Sequence, residues 1–180
     1  VERSDCVERI AAGADSASFV FITGPRGSGK SGAVGDYIRS LDQRTPVFWL
    51  RAEDLDHSHL DKVLTAMGIE LGLNALASRF SLMPTKILVI DSLEKVLELG
   101  HRGAFRDLLN FVRKDPTWTV LASGRDYAFQ QIQHECLDIN GIRWEPVSVP
   151  IFTDAELQSV AEAHPCLVSV VANERLRELL

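Results

Sequence analysis

A chain of 180 residues with a formal net charge of −6 is the size of one domain with a sizeable core, and its acidity argues against a nucleic-acid groove covering it. The apolar fraction of 46% and charged fraction of 24% are ordinary for a soluble domain. No apolar run approaches a membrane span, and the polar start Val1-Glu2-Arg3-Ser4-Asp5 is no signal peptide. Three cysteines, Cys6, Cys136 and Cys166, are odd in number and far apart, which fits free thiols in a reducing cytoplasm better than a disulfide framework.

The apolar run Ala17 to Thr23 reads as a buried strand, and Val34, Tyr37, Ile38 and Leu41 follow at helical spacing. Between them lies Gly24-Pro25-Arg26-Gly27-Ser28-Gly29-Lys30-Ser31, which matches G-x-x-x-x-G-K-[ST] at every required position. The glycines leave room for backbone N–H groups to wrap a phosphate, and the helix directs its positive dipole end at the same place. Lys30 is expected to reach the β- and γ-phosphates and the Ser31 hydroxyl to ligate Mg²⁺, with Gly32 closing the nucleotide-binding set. Arg26 faces either the phosphates or a neighbouring subunit. The expected ligands are ATP or ADP with Mg²⁺. The absence of an N-K-x-D motif leans toward ATP without settling it against GTP.

Pro46 to Arg51 is a second strand. Leu60, Val63, Leu64 and Met67 share a helical face, and a further helical stretch runs from Ile69 to Phe80, weakened at Gly68 and Gly72 and ended by Pro84. Lys86 to Asp91 is a third strand. Phe105, Leu108, Leu109 and Val112 mark a helix stopped by Asp115-Pro116, and Trp118 to Ser123 is a fourth strand. A short helix is expected over Tyr127 to Gln133, and a fifth strand over Ile142 to Val149, at an edge because of Pro146. Thr153-Asp154-Ala155-Glu156 has capping-box spacing and opens another helix. Strands buried on both faces and alternating with helices predict an α/β fold: a three-layer P-loop NTPase with a five-stranded, mostly parallel sheet and helices on both faces. Such sheets bind ligands at the strands' carboxyl ends, where the glycine-rich loop, Asp91 and Ser123 all fall.

Asp91 closes the run Ile87-Leu88-Val89-Ile90, the Walker B arrangement, in which the carboxylate holds Mg²⁺; the plainer role is a cap on the next turn. The next position, where many P-loop ATPases with an added strand place a water-polarising glutamate, is Ser92. Glu94, three residues beyond Asp91, either orients the water or sits in solvent paired with a nearby lysine. Ser123 and Arg125 can contact the γ-phosphate or the attacking water, unless Arg125 is simply paired with Asp126 or another acid. His57, His59 and His134 lack partners for a metal site. Trp49, Trp118 and Trp144 are expected to pack against the sheet, and His164-Pro165 is either a turn or an adenine contact.

Together, Gly24 to Ser31, Ile87 to Glu94, Val120 to Arg125 and Val149 to Leu157 resemble the STAND class of signal-transduction ATPases, which includes the NACHT and NB-ARC groups. The resemblance spans about residues 17 to 165. It implies Glu94 as the second acid of the site and Arg125 as a sensor arginine. It also implies a nucleotide latch: ADP holds a closed form, and ATP drives self-association that gathers effector and sensor domains outside this segment. In bacteria many relatives of this class act in defence. The lid and winged-helix segments of the class are missing, so residues 1–152 are taken as the nucleotide-binding domain and 153–180 as the start of a helical lid or linker, the whole cut from a longer protein. No membrane and no direct nucleic-acid partner are expected. Competing readings are an AAA+ motor or loader, a scaffold that binds nucleotide without hydrolysis, and a small-molecule kinase.

Overall fold

The computed structural model describes residues 3–168, so residues 169–180 of the expected helical lid or linker lie outside the described part. Strands β1 (Phe19–Thr23), β2 (Val47–Arg51), β3 (Lys86–Asp91), β4 (Trp118–Ser123) and β5 (Trp144–Ser148) form one sheet in the order β2-β3-β4-β1-β5. Every pairing is parallel. The helices are α1 (Ser4–Ser16), α2 (Lys30–Ser40), α3 (Leu60–Ala66), α4 (Leu73–Arg79), α5 (Gly103–Lys114), α6 (Asp126–Ile132) and α7 (Asp154–Ala163).

Side-chain alternation along the strands divides the core in two. Val20, Ile22, Val89, Leu121 and Val147 face Ile10 of α1 and Val34 and Tyr37 of α2. Phe19, Phe21, Leu88, Ile90 and Val120 face Val63 of α3, Phe105 and Leu108 of α5 and Ile132 of α6. This is the expected three-layer arrangement. Phe105, Leu108, Leu109 and Val112 are each at most 2% exposed, and burying each such side chain stabilises the fold by about 1.5–3 kcal/mol.

Only the three inner strands are buried on both faces; β2 and β5 are edge strands with half-exposed or exposed positions. Pro146 lies on β5 opposite Phe21, on the edge as its missing N–H requires. Trp118 is buried as expected, but Trp49, on the other edge, is 44% exposed. Two segments were not anticipated. Helix α1 buries Cys6, Ile10 and Gly13 against α2 and the sheet, and a π-turn over Gln133–Asp138 prolongs α6. The stretch from Leu60 to Phe80 breaks after Met67, where the Ile69 N–H returns to the Leu64 carbonyl, so that α3 and α4 are separate short helices.

At the sheet's other end, Lys86 is almost wholly buried. Its ammonium donates to the Phe80 carbonyl (3.2 Å), the Met83 carbonyl (3.4 Å) and the Asp115 carboxylate (3.1 Å). Burial pushes the Asp115 carboxyl up, but the Thr117 hydroxyl and N–H, and then Lys86, outweigh it, and Asp115 titrates below its ordinary range. A depressed carboxyl contributes stability at neutral pH that is lost as pH falls through its folded value. Replacing Lys86 by methionine keeps the apolar stem and strands these acceptors. Urea denaturation is expected to show a loss of about 2 kcal/mol near neutrality. The gap to wild type should narrow in acid, and a constant gap would remove the Asp115 pair from the account.

Candidate nucleotide site

β4 inserts between β1 and β3. The insertion brings Ser123 between the glycine-rich loop after β1 and Asp91 at the end of β3. All three candidates therefore meet at one carboxyl edge, as the alternating pattern predicts.

The loop is held in shape by glycine. Gly24 has φ +151°, and a Cβ there would lie 2.3 Å from the Val149 carbonyl oxygen. Gly29 has φ +79°, and a Cβ there would lie 3.0 Å from the Phe152 ring. Pro25 and Arg26 are exposed, Gly27 takes φ +74°, and the Ser28 N–H donates to the Pro25 carbonyl at 3.2 Å. Helix α2 starts at Lys30, so Ser31 and Gly32 occupy its first turn, where free N–H groups gather. The Lys30 ammonium donates to the Gly24 and Pro25 carbonyls, both at 2.9 Å. Burial lowers this ammonium below its ordinary range, while Glu94 and then Asp126 pull it back.

The Ser31 hydroxyl donates to Asp91 Oδ1 at 3.3 Å, and the Ser123 hydroxyl donates to the same oxygen. Ser123 also accepts the Ser92 N–H at 3.3 Å. Ser92 sits at φ +58°, the one non-glycine residue with positive φ among those described. A serine there costs about 1 kcal/mol or more, and such strain concentrates at functional sites. The strained corner turns the chain directly into a 3₁₀ turn, Leu93–Glu98, so Glu94 is thrown back over the site.

Glu94 is neither solvated nor paired with the adjacent Lys95, which binds Glu53 instead. Its side chain is only 11% exposed. Oε1 lies 3.4 Å from Arg125 Nε, and the buried Oε2 has no hydrogen-bond partner among the described residues. Arg125 itself is half exposed and pairs with Glu94 rather than with Asp126. Lys30, Asp91, Glu94, Ser123 and Arg125 are thus one cluster. The expected metal position at Ser31 and Asp91 has the right donors, a hydroxyl and a carboxylate sharing one locus. Ser28 Oγ and Glu94 Oε2, both without a hydrogen-bond partner among the described residues, fit a bound phosphate chain and cation.

A cleft of about 440 Å³ opens beside the loop, between Arg26 and Gly27 on one side and Ile151, Phe152, Thr153 and Leu157 on the other. His164 and Pro165 are not among its lining residues. Sequence reasoning passed over Arg3 and Phe152. Arg3 is buried against the loop, donating to the Ser28 carbonyl at 2.7 Å, and Phe152 covers Gly29. Their partners are so far away along the chain that no local pattern could have shown them.

No family model matches this chain, and no curated protein does. Solved structures do. The Walker-type ATPase PABY2304 of Pyrococcus abyssi superimposes with a TM-score of 0.61 at 16% identity, over 90% of this chain and 58% of that one. The Aeropyrum pernix ORC1 protein in complex with DNA gives 0.63 at 18% identity, over 90% and 48%. The Aeropyrum pernix ORC2 protein in ADPNP–ADP complexes gives 0.60 at 14% identity, over 88% and 48%. This chain therefore spans about half the length of these proteins. Its five-stranded parallel sheet, with a strand inserted between β1 and β3, is the α/β fold of the P-loop ATPases.

Proposed function

We propose that the chain is an ATP-binding and slowly hydrolysing switch domain. The observation that carries this reading is the convergence of Lys30, the Ser31–Asp91–Ser123 hydrogen-bond chain and the buried Glu94 carboxylate at one sheet edge. Ser31 and Asp91 would hold Mg²⁺, which when bound neutralises charge on the β- and γ-phosphates. Lys30 and the N–H groups of Gly27, Gly29, Lys30 and Ser31 bind the phosphate chain, and the cleft at Ile151 and Phe152 receives the base. Glu94 accepts a proton from the attacking water. The water oxygen bonds to the γ-phosphorus as the bond to the bridging oxygen breaks, giving ADP and inorganic phosphate. Arg125 is placed to neutralise charge on the departing phosphoryl group once it leaves Glu94.

Within this reading the domain is of STAND type: cytoplasmic, self-associating on ATP binding and controlling effector and sensor domains outside it. Ser92 in place of a second acid and Glu94 three residues on from Asp91 support that assignment. A second reading, an AAA+ motor or loader, is favoured by the likeness to ORC1 and ORC2; DNA would then be a partner, against which the net charge of −6 speaks. Light scattering of the chain with Mg-ADP and then Mg-ATP, alongside phosphate release, tests both. A mass that grows with ATP, with turnover slower than one per second, is the expected result. A ring of constant mass supports the motor. Tight binding with no phosphate release overturns hydrolysis.

A further inference from the structure

Among the described residues Arg3 is the only buried arginine. A guanidinium taken out of water is costly unless its donors are used. Here they are used on three separate segments. Nη1 donates to the Ser28 carbonyl in the glycine-rich loop (2.7 Å) and to the Pro150 carbonyl after β5 (2.9 Å). Nε donates to Glu156 in the first turn of α7 (3.0 Å), and the guanidinium carbon lies 4.7 Å from the centre of the Phe152 ring. The residue is fixed from behind as well. Its own carbonyl accepts the Cys6 and Val7 N–H groups, so its backbone caps the start of α1.

In a trans peptide the carbonyl of one residue and the N–H of the next point to opposite sides. There is no cis peptide among the described residues, so the hydrogen bond from Arg3 to Ser28 sets the direction of the Gly29 N–H. Gly29 immediately precedes Lys30, in the stretch whose N–H groups wrap phosphate. With Phe152 against Gly29 and Arg3 on Ser28, this peptide cannot turn without disturbing the α7 side.

We propose that Arg3 is a positioning residue for phosphate binding: it aims the Gly29 N–H at the phosphate chain of a nucleoside di- or triphosphate. Through Pro150 and Glu156 the same guanidinium ties occupancy of the loop to the seating of α7. The inference rests on the nucleotide reading above. It assigns Arg3 to the phosphates and gives it no contact with the base.

The test uses the whole chain and two probes, Mg-ATP and magnesium tripolyphosphate, which has no base. Calorimetry gives the affinities, and amide hydrogen exchange follows α7. Arg3→Met is expected to weaken both probes alike, by about tenfold or more. In wild type the ligand slows exchange in α7; in Arg3→Met that response disappears. Glu156→Gln keeps the capping box and the Ser28 bond, so it carries the test if Arg3→Met does not fold. It should leave tripolyphosphate affinity within about twofold while reducing the α7 response. Wild-type affinity for both probes in Arg3→Met, weakening of ATP alone, or an undiminished α7 response in Glu156→Gln overturns the proposal. A wild-type chain that binds neither probe overturns the nucleotide reading itself and this inference with it.

Discussion

Lys30→Ala is expected to lower the affinity for Mg-ATP at least about a hundredfold, since a lost charge-assisted contact to phosphate is worth about 3 kcal/mol. The loop's other cation, Arg26, is exposed and is a poor substitute for the ammonium. The ammonium is half buried at the start of α2, and the neighbouring cation, Arg125, is half exposed and engaged by Glu94. Burial already weakens its hold on the proton, and the nearby carboxylates of Glu94 and Asp126 restore part of it. The group therefore stands desolvated and charged where phosphate oxygens are expected, and desolvation strengthens its pull on them. Stability should change little, because what the variant loses in the protein is its two bonds to the Gly24 and Pro25 carbonyls, at a rim open to water. Isothermal calorimetry beside thermal unfolding separates the two effects. Unchanged ATP affinity in a folded Lys30→Ala chain would remove the loop from the binding site.

How much of this was legible before the structure depended on the range of each interaction. The loop, its flanking strand and helix, and Asp91 at a strand end are contiguous in sequence, so local patterning revealed them. The five strands were equally visible, since an apolar run records burial wherever the strand lies. Their lateral order was not. Nothing local says that β4 enters between β1 and β3, yet that insertion brings Ser123 onto Asp91. Trp49 was misplaced for a related reason: the same apolar run serves an inner strand or an edge, and β2 proved to be an edge. Helix α1 escaped because its apolar face is short and built from Cys6, Ile10 and Gly13 amid charges. Arg3 escaped with it, since in sequence it is one more charged residue near a chain end. Glu94 was half legible. Its spacing from Asp91 was plain, but its direction depends on Ser92 adopting positive φ, a conformation serine seldom takes.

Glu94→Gln is expected to cut turnover by about a hundredfold to a thousandfold, the range for removing a positioned general base. Nucleotide affinity should stay within a few fold of wild type. The separation follows from where the carboxylate sits. It makes no hydrogen bond to the loop backbone or to Ser31 and reaches Lys30 only through its charge, so binding is expected to depend on it weakly. Its Oε2 is buried without a partner among the described residues, and its Oε1 holds Arg125 at 3.4 Å. A carboxylate kept in such a place costs stability, costs of this kind concentrate at functional sites, and accepting a proton from the attacking water is the role proposed for it. The amide has nearly the same shape and cannot take the proton. Losing the pair with half-exposed Arg125 costs about 1 kcal/mol at most, and relief of the buried charge offsets it, so unfolding should barely move. Single-turnover phosphate release under saturating Mg-ATP, read beside equilibrium affinity, isolates the chemical step. A variant that hydrolyses at the wild-type rate would leave Glu94 as the arginine's counter-ion alone and return the water-activating role to the solvent around Asp91. A fall in affinity equal to the fall in rate would instead mean that the carboxylate shapes the loop. The contacts speak against that, because the loop's carbonyls are held by Lys30 and Arg3.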